Sequence, residues 1–133
     1  MGALKEFSIK TDKTGVYNIT GMVQGFVLES KIESGIAVIY CPHTTAAITL
    51  NENTDVNVGK DLLKGIDSAF PDRPDFKHSE GNSYAHLRSS AIGSSITIII
   101  EDGWPKLGIW QNIFFMEFDG PRDRSFYVKL MSD

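Results

Sequence analysis

A long apolar run is missing from this sequence. The longest candidate, Ile96 to Ile100, is interrupted by Thr97, whereas a bilayer-spanning helix needs about 20 apolar residues. No basic segment followed by an apolar core opens the chain, so no secretory signal is expected. Position 6 is Glu6 rather than the Ser or Thr of an N-myristoylation signal. A membrane partner is therefore not expected. Cysteine is almost absent. Cys41 stands alone, so no internal disulfide can form, which suits a reducing cytoplasm, the expected location. Cys41 ends an apolar run and is expected as a small buried strand residue. An excess of positive charge is also lacking: 13 Lys and Arg stand against 17 Asp and Glu, for a net charge of −4. That balance argues against a nucleic-acid partner. Repeats, low-complexity tracts and linkers are absent, so the 133 residues are expected to form one domain, 1–133.

What is present reads as a mixture of strands and helices. Phe7 to Thr11 alternates apolar and polar and reads as a strand, ended by Asp12 to Gly15. Asn18 or Thr20 can cap a helix in which Ile19, Met22, Val23, Phe26 and Val27 recur at helical spacing. Gly21 and Gly25 weaken that helix by up to ~1 kcal/mol each relative to alanine. Ile36 to Cys41 is an almost unbroken apolar run and predicts a strand buried on both faces, stopped by Pro42. A second strand resumes over Ala46 to Leu50. Asn53, Thr54 or Asp55 can cap a helix with an apolar stripe of Val58, Leu62, Leu63, Ile66 and Phe70, ended by Pro71. Residues 71–82 form a long polar loop, a type often functional in small domains. Asn82 or Ser83 then caps a short helical turn through Leu87. From Ser94 the chain is β-rich: Ile96, Ile98 and Ile100 share a face, Trp110 to Phe118 returns, and Ser125 to Met131 closes. The expected fold is α+β, a single compact domain of packed, mainly antiparallel β-sheets with two main helices.

Chemistry is concentrated in few residues. The chain has three histidines, His43, His78 and His86, all at segment ends or beside the polar loop. Imidazole transfers protons near neutral pH and ligates metals. Three imidazoles with an open position would suit zinc. Glu80 and Glu52 could orient them. The spacing is neither HxH nor HxxxH, so no local metal motif exists. Thr44 and Thr45 lie at a strand break, and Ser89, Ser90, Ser94 and Ser95 flank Gly93. Together they could cradle a phosphate, with Arg88 neutralising it, or simply make turns. Arg122 and Arg124 lie beside Asp119 and Asp123, either as exposed ion pairs or as a fork for phosphate. Trp104 and Trp110 could stack on a flat ring or cover the core.

Cys41-Pro42-His43-Thr44-Thr45-Ala46-Ala47-Ile48 resembles the CPHTTAAI signature of the YjbQ family, with Asn51-Glu52 following as it does there. His78-Ser79-Glu80-Gly81-Asn82 and Ala85-His86-Leu87-Arg88-Ser89-Ser90 resemble that family's H-x-E-G-N and A-H-L-K-S-S segments. Gly93-Ser94-Ser95, Asp102-Gly103, Leu107-Gly108, Trp110-Gln111 and Glu117-Phe118-Asp119-Gly120-Pro121-Arg122 continue in order. The match runs from about Ile19 to the last strand. Arg88 stands where lysine is usual, Ile99 where proline is, and Ile109 and Asn112 replace small residues around Trp110-Gln111. These departures affect the expected pocket wall near Trp110 and leave the histidines intact.

The resemblance implies a compact homotrimer with sites near subunit boundaries, and a shared site for His43, His78 and His86. It implies catalytic roles for these histidines and Glu80, and occupancy by a divalent metal, zinc or magnesium, held by the three histidines. It adds Asn51, Glu52, Asn82 and Gln111 to Thr44, Thr45, Arg88, Ser94, Ser95, Trp110 and Arg122 as substrate-binding candidates. The implied activity is that of a thiamine-phosphate synthase, which joins a pyrimidine-methyl diphosphate to a thiazole phosphate and releases diphosphate. Two alternatives stand beside it: a metal-assisted hydrolase of a small phosphorylated metabolite, and a non-catalytic metabolite- or metal-binding trimer.

Overall fold

A computed structural model describes residues 2–133. Two antiparallel sheets face each other. The first comprises β1 (Gly2–Thr11), β8 (Arg122–Ser132), β3 (Gly35–Tyr40), β5 (Ser95–Glu101) and β6 (Trp104–Pro105), in that order. The second comprises β2 (Gly15–Asn18), β7 (Gln111–Glu117) and β4 (Ala46–Glu52). Three helices complete the described residues: α1 (Thr20–Ser30), α2 (Val56–Ala69) and α3 (Ser83–Ile92).

Side-chain alternation explains which strand face meets the core. In β8, Phe126, Val128 and Leu130 point inward; in β5, Ile98 and Ile100 do. They meet Ile113 and Phe115 of β7 and Ile48 of β4 across the sandwich, with Ile19 and with Val23 and Val27 of α1 sealing it. Each fully buried side chain of this size contributes about 1.5–3 kcal/mol of transfer free energy. A smaller cluster lies on the other face of the second sheet. There Ala47, Met116 and Phe118 pack with Ala85 of α3 and with Leu63 and Ile66 of α2.

The structure departs from the sequence expectation at several points. The run Ile36 to Cys41 is not buried on both faces: Ala37 and Ile39 are buried, Ile36 and Val38 are half-buried, and Tyr40 is exposed. β3 is central, but its sheet is antiparallel and its outer face has no layer over it in one chain. The first strand reaches back to Gly2 because it pairs with β8 along its whole length. β2 was not anticipated; its four residues borrow order from β7. The expected short turn at Tyr84 to Leu87 is a full helix, α3, which extends the helix count to three. Tertiary packing supplies what its weak periodicity does not: Ser89 Oγ donates to the Ala46 carbonyl at 2.6 Å. Asp55 caps α2 as expected, accepting from the Asn57 N–H at 2.9 Å. At α1 the cap position is Ile19, while Asn18 Oδ1 accepts from the Thr20 N–H just inside the helix at 3.0 Å. Asn82 occupies the cap position of α3 but makes no capping bond with its side chain.

These pairings bring several chain breaks to one end of the sandwich. Ala46, the start of β4, pairs with Glu117, the end of β7. The segments 42–45 and 118–121 therefore lie together, beside the start of β8 and the N-terminus of α3.

Candidate active site

The break after β3 creates the position of His43. Tyr40 pairs with Tyr127, and the same register carried two residues on sets Pro42 opposite Ser125. Proline has no N–H for the ladder, so the pairing stops. The His43 ring takes up the open edge instead. The Ser125 N–H donates to His43 Nε2 at 2.9 Å, and the Ser125 carbonyl oxygen lies 3.1 Å from the same nitrogen. The closer contact is with an N–H, which can only donate, so Nε2 accepts and the neutral ring carries its proton on Nδ1. Burial pushes the His43 pKa down, the Arg124 charge pushes it further, and the Ser125 carbonyl only partly opposes them. His43 is thus neutral at physiological pH.

His43 lines a cavity of about 390 Å³ with Thr44, Thr45, His78 and His86. His78 stands at the head of a turn in which the Gly81 N–H donates to the His78 carbonyl at 3.1 Å. Gly81 has φ +75°, a left-handed conformation that favours glycine. The turn delivers Glu80 and Asn82 to the cavity wall. His86, in the first turn of α3, meets His78 edge to face with ring centroids 5.3 Å apart. The three histidines therefore share one cavity, two as a pair and one held separately by the β8 edge.

The opposite wall is charged. Arg124 pairs with the fully buried Glu117, also reaching Thr45 Oγ1 at 2.8 Å. Burial alone would raise the Glu117 pKa, but hydrogen bonds from Arg124, the Asp119 N–H and the Thr11 hydroxyl outweigh it and hold it low. Arg122 donates through Nε and Nη2 to the Asp119 carbonyl and carboxylate, both at 2.9 Å. Asp119 Oδ2 also accepts from Asn82 Nδ2 at 2.8 Å. Burial raises the Asp119 pKa, while Asn82 and Arg122 lower it more. Asn82 Oδ1 is the one buried side-chain polar atom among the described residues that has no partner. Such an orphan costs about 1–3 kcal/mol and is rare in native proteins.

Other sequence candidates lie elsewhere. β4 pairs with β7 so that Asn51 faces Asn112 and Glu52 faces Gln111. These residues and the neighbouring, exposed Trp110 sit at the far end of the second sheet, about 20 Å along the strands from Thr45. Glu52 lines a different cavity with Lys13 and Lys60. Arg88 turns to α2, where it donates to Asp67 at 2.6 Å and the Phe70 carbonyl at 3.1 Å and lies over the Tyr84 ring. That position ties α3 to α2 and leaves Arg88 outside the histidine cavity. Ser94 accepts through its carbonyl from the Cys41 N–H at 2.7 Å, and Ser95 begins β5; neither lines the cavity. Glu117 and Asp119 were not singled out as site residues. The signal was present for Glu117, which shares strand parity with Ile113 and Phe115, as Arg124 does with Phe126 and Val128. The expected partnership of Arg124 with nearby acidic neighbours in a surface turn is replaced by this buried cross-strand pair.

The three histidines share the cavity without being gathered into a preformed metal set. Among the described residues no group of three or more His, Cys, Asp and Glu side chains is placed to hold a metal ion. His43 has already committed Nε2 to β8, leaving Nδ1. His78 and His86 are the two imidazoles in ring contact.

The family model described as UPF0047 protein YjbQ-like matches residues 5–133. The chain belongs to the YjbQ-like family. A UPF0047 protein of Methanocaldococcus jannaschii is 52% identical, covering 98% of this chain and 95% of its own. The UPF0047 protein YugU of Bacillus subtilis is 49% identical, covering 96% and 98%. Two YjbQ-family crystal structures have the same fold. An uncharacterised conserved protein from Clostridium acetobutylicum matches with TM-score 0.93 and 52% identity over 96% of this chain and 99% of its own. A protein of unknown function from Sulfolobus solfataricus matches with TM-score 0.96 and 30% identity over 100% and 99%. The YjbQ relationship thus spans both sheets and all three helices, including the segments that build the histidine cavity.

Proposed function

We propose that this YjbQ-like protein is a small enzyme of thiamine-phosphate-synthase type, with its chemistry in the cavity of His43, His78 and His86. The observation that carries this reading is the convergence of those three imidazoles, from three separate segments, on a cavity bounded by Arg122 and Arg124. Expulsion of diphosphate needs stabilisation of a developing anion more than a strong nucleophile. A neutral His43 offers its Nδ1–H as a donor. His78 or His86 can protonate a departing phosphate oxygen. Arg122 keeps Nη1 free of any partner among the described residues. A divalent ion held with the His78–His86 pair would supply further charge to the diphosphate. The test is incubation of purified protein, with its metal content measured, with the pyrimidine-methyl diphosphate and the thiazole phosphate. Formation of thiamine phosphate with equimolar diphosphate is the expected result. Release of phosphate without a new C–N bond would replace the synthase reading with hydrolysis. Tight binding without turnover would make the protein a binding module.

A homotrimer is part of the same proposal. The outer face of the five-stranded sheet carries Leu4, Tyr40, Ile99 and Met131, all at least 46% exposed. The register sets Ile36 between Met131 and Ile99, making one apolar row. An exposed patch of this kind marks an association surface. Light scattering is expected to give about three times the chain mass of 14.7 kDa. Ile99→Lys, which places a charge on that row without touching the core, is expected to yield monomers. An unchanged trimer in that variant would move the interface elsewhere.

A further inference from the structure

Asn82 is 92% buried, lines the histidine cavity, and is half satisfied. Its Nδ2 donates to Asp119 Oδ2. That bond fixes the carboxamide, because a carboxylate held by Arg122 accepts and does not donate. Turning the amide over would set Oδ1 against the Asp119 carboxylate. Oδ1 is therefore committed as an acceptor and has nothing to accept from. The residue also forgoes the ordinary capping bond to α3, so helix formation does not explain its identity. Close by, Arg122 Nη1 and the His43 Nδ1–H are donors without partners among the described residues. The cavity thus pairs one buried acceptor with surrounding donors.

We propose that Asn82 is a specificity-determining residue, whose carboxamide oxygen selects phosphorylated ligands that carry a hydroxyl or amino donor next to the phosphate-bearing group. Asp119 acts as the positioning residue that keeps the oxygen turned to the ligand. This deepens the proposed function, since it rests on phosphate binding in the same cavity, but it does not require the synthase reaction.

The test compares two small probes, 2-hydroxyethyl phosphate and ethyl phosphate, titrated against the full-length protein by NMR. Wild type is expected to bind the hydroxyl-bearing probe on the order of tenfold more tightly. Asn82→Leu is expected to bind both equally, with ethyl phosphate affinity retained. Asp119→Asn frees the carboxamide to turn over and is expected to narrow the preference while keeping phosphate affinity; it provides the reading if the leucine variant does not fold. Equal binding of the two probes by wild type, or a preference that survives in both variants, overturns the proposal. Failure of both probes to bind overturns it together with the phosphate-binding premise. A donor preference in a protein that makes no thiamine phosphate would reject the synthase reading and leave Asn82 in its role.

Discussion

Replacing Arg124 by alanine is expected to lower the stability of the folded chain by about 3–5 kcal/mol, because it strands a buried carboxylate. Glu117 is fully buried, and Arg124 supplies two of its hydrogen bonds. The remaining partners, the Thr11 hydroxyl at 2.7 Å and the Asp119 N–H at 2.9 Å, cannot neutralise the charge. Thr45 would also lose the guanidinium that holds its hydroxyl. Urea denaturation at neutral pH measures the loss. A cost below about 1 kcal/mol would mean that water reaches Glu117 and the pair is not buried in solution. The same pair sets an acid limit. The folded Glu117 pKa lies below its ordinary value, so its contribution is fully present above that value and disappears as pH falls through the folded pKa. Wild type is therefore expected to lose stability on acidification below about pH 4.5. Arg124→Ala should unfold at a higher pH, since its Glu117 has lost the partner that kept it ionised.

His43→Ala is expected to lower kcat/KM of the proposed reaction by about 10²–10³-fold, the range for a lost hydrogen-bond donor to a developing anion. The ring does two things at once. It presents Nδ1 to the cavity and satisfies the edge of β8 through Nε2. His43→Asn can present a side-chain amide near the same edge but is too short to hold β8 and donate into the cavity at once. Fold retention in both variants with activity lost in both assigns the effect to chemistry. Activity restored by asparagine would reduce His43 to a structural hydrogen-bonding group. Because the wild-type ring is held neutral, the activity it supports should persist toward lower pH than an ordinary histidine would allow.

Much of this was legible in the residues. The strand over β5 and the capped, striped helix α2 follow from periodicity and from Asp55 at the cap. His43, His78 and His86 were grouped through the family resemblance, and the cavity brings them together. What stayed hidden has physical causes. α3 has little one-sided patterning, because Arg88 and Ser89 are buried on it alongside Ala85 and are satisfied by partners distant in sequence. Asn51, Glu52 and Gln111 adjoin site motifs along the chain, but an extended strand carries them to the opposite end of the sheet. The outer face of β3 looks like core in sequence, because the half-buried Ile36 and Val38 have the same composition as an interior.

β8 lies between β1 and β3, and Gly2 pairs with Met131. An interior strand of the larger sheet is thus the last of its five to be synthesised. Until it arrives, β1 has no neighbour and the β3 edge stays open, so the nascent chain exposes two strands with unpaired backbone. Contacts that span nearly the whole chain also carry a large loop-closure cost and slow the search. His43 gains its anchor on Ser125 in the same late step. The histidine cavity and the completed fold therefore come into being together, and a chain truncated before its last strand would lack both.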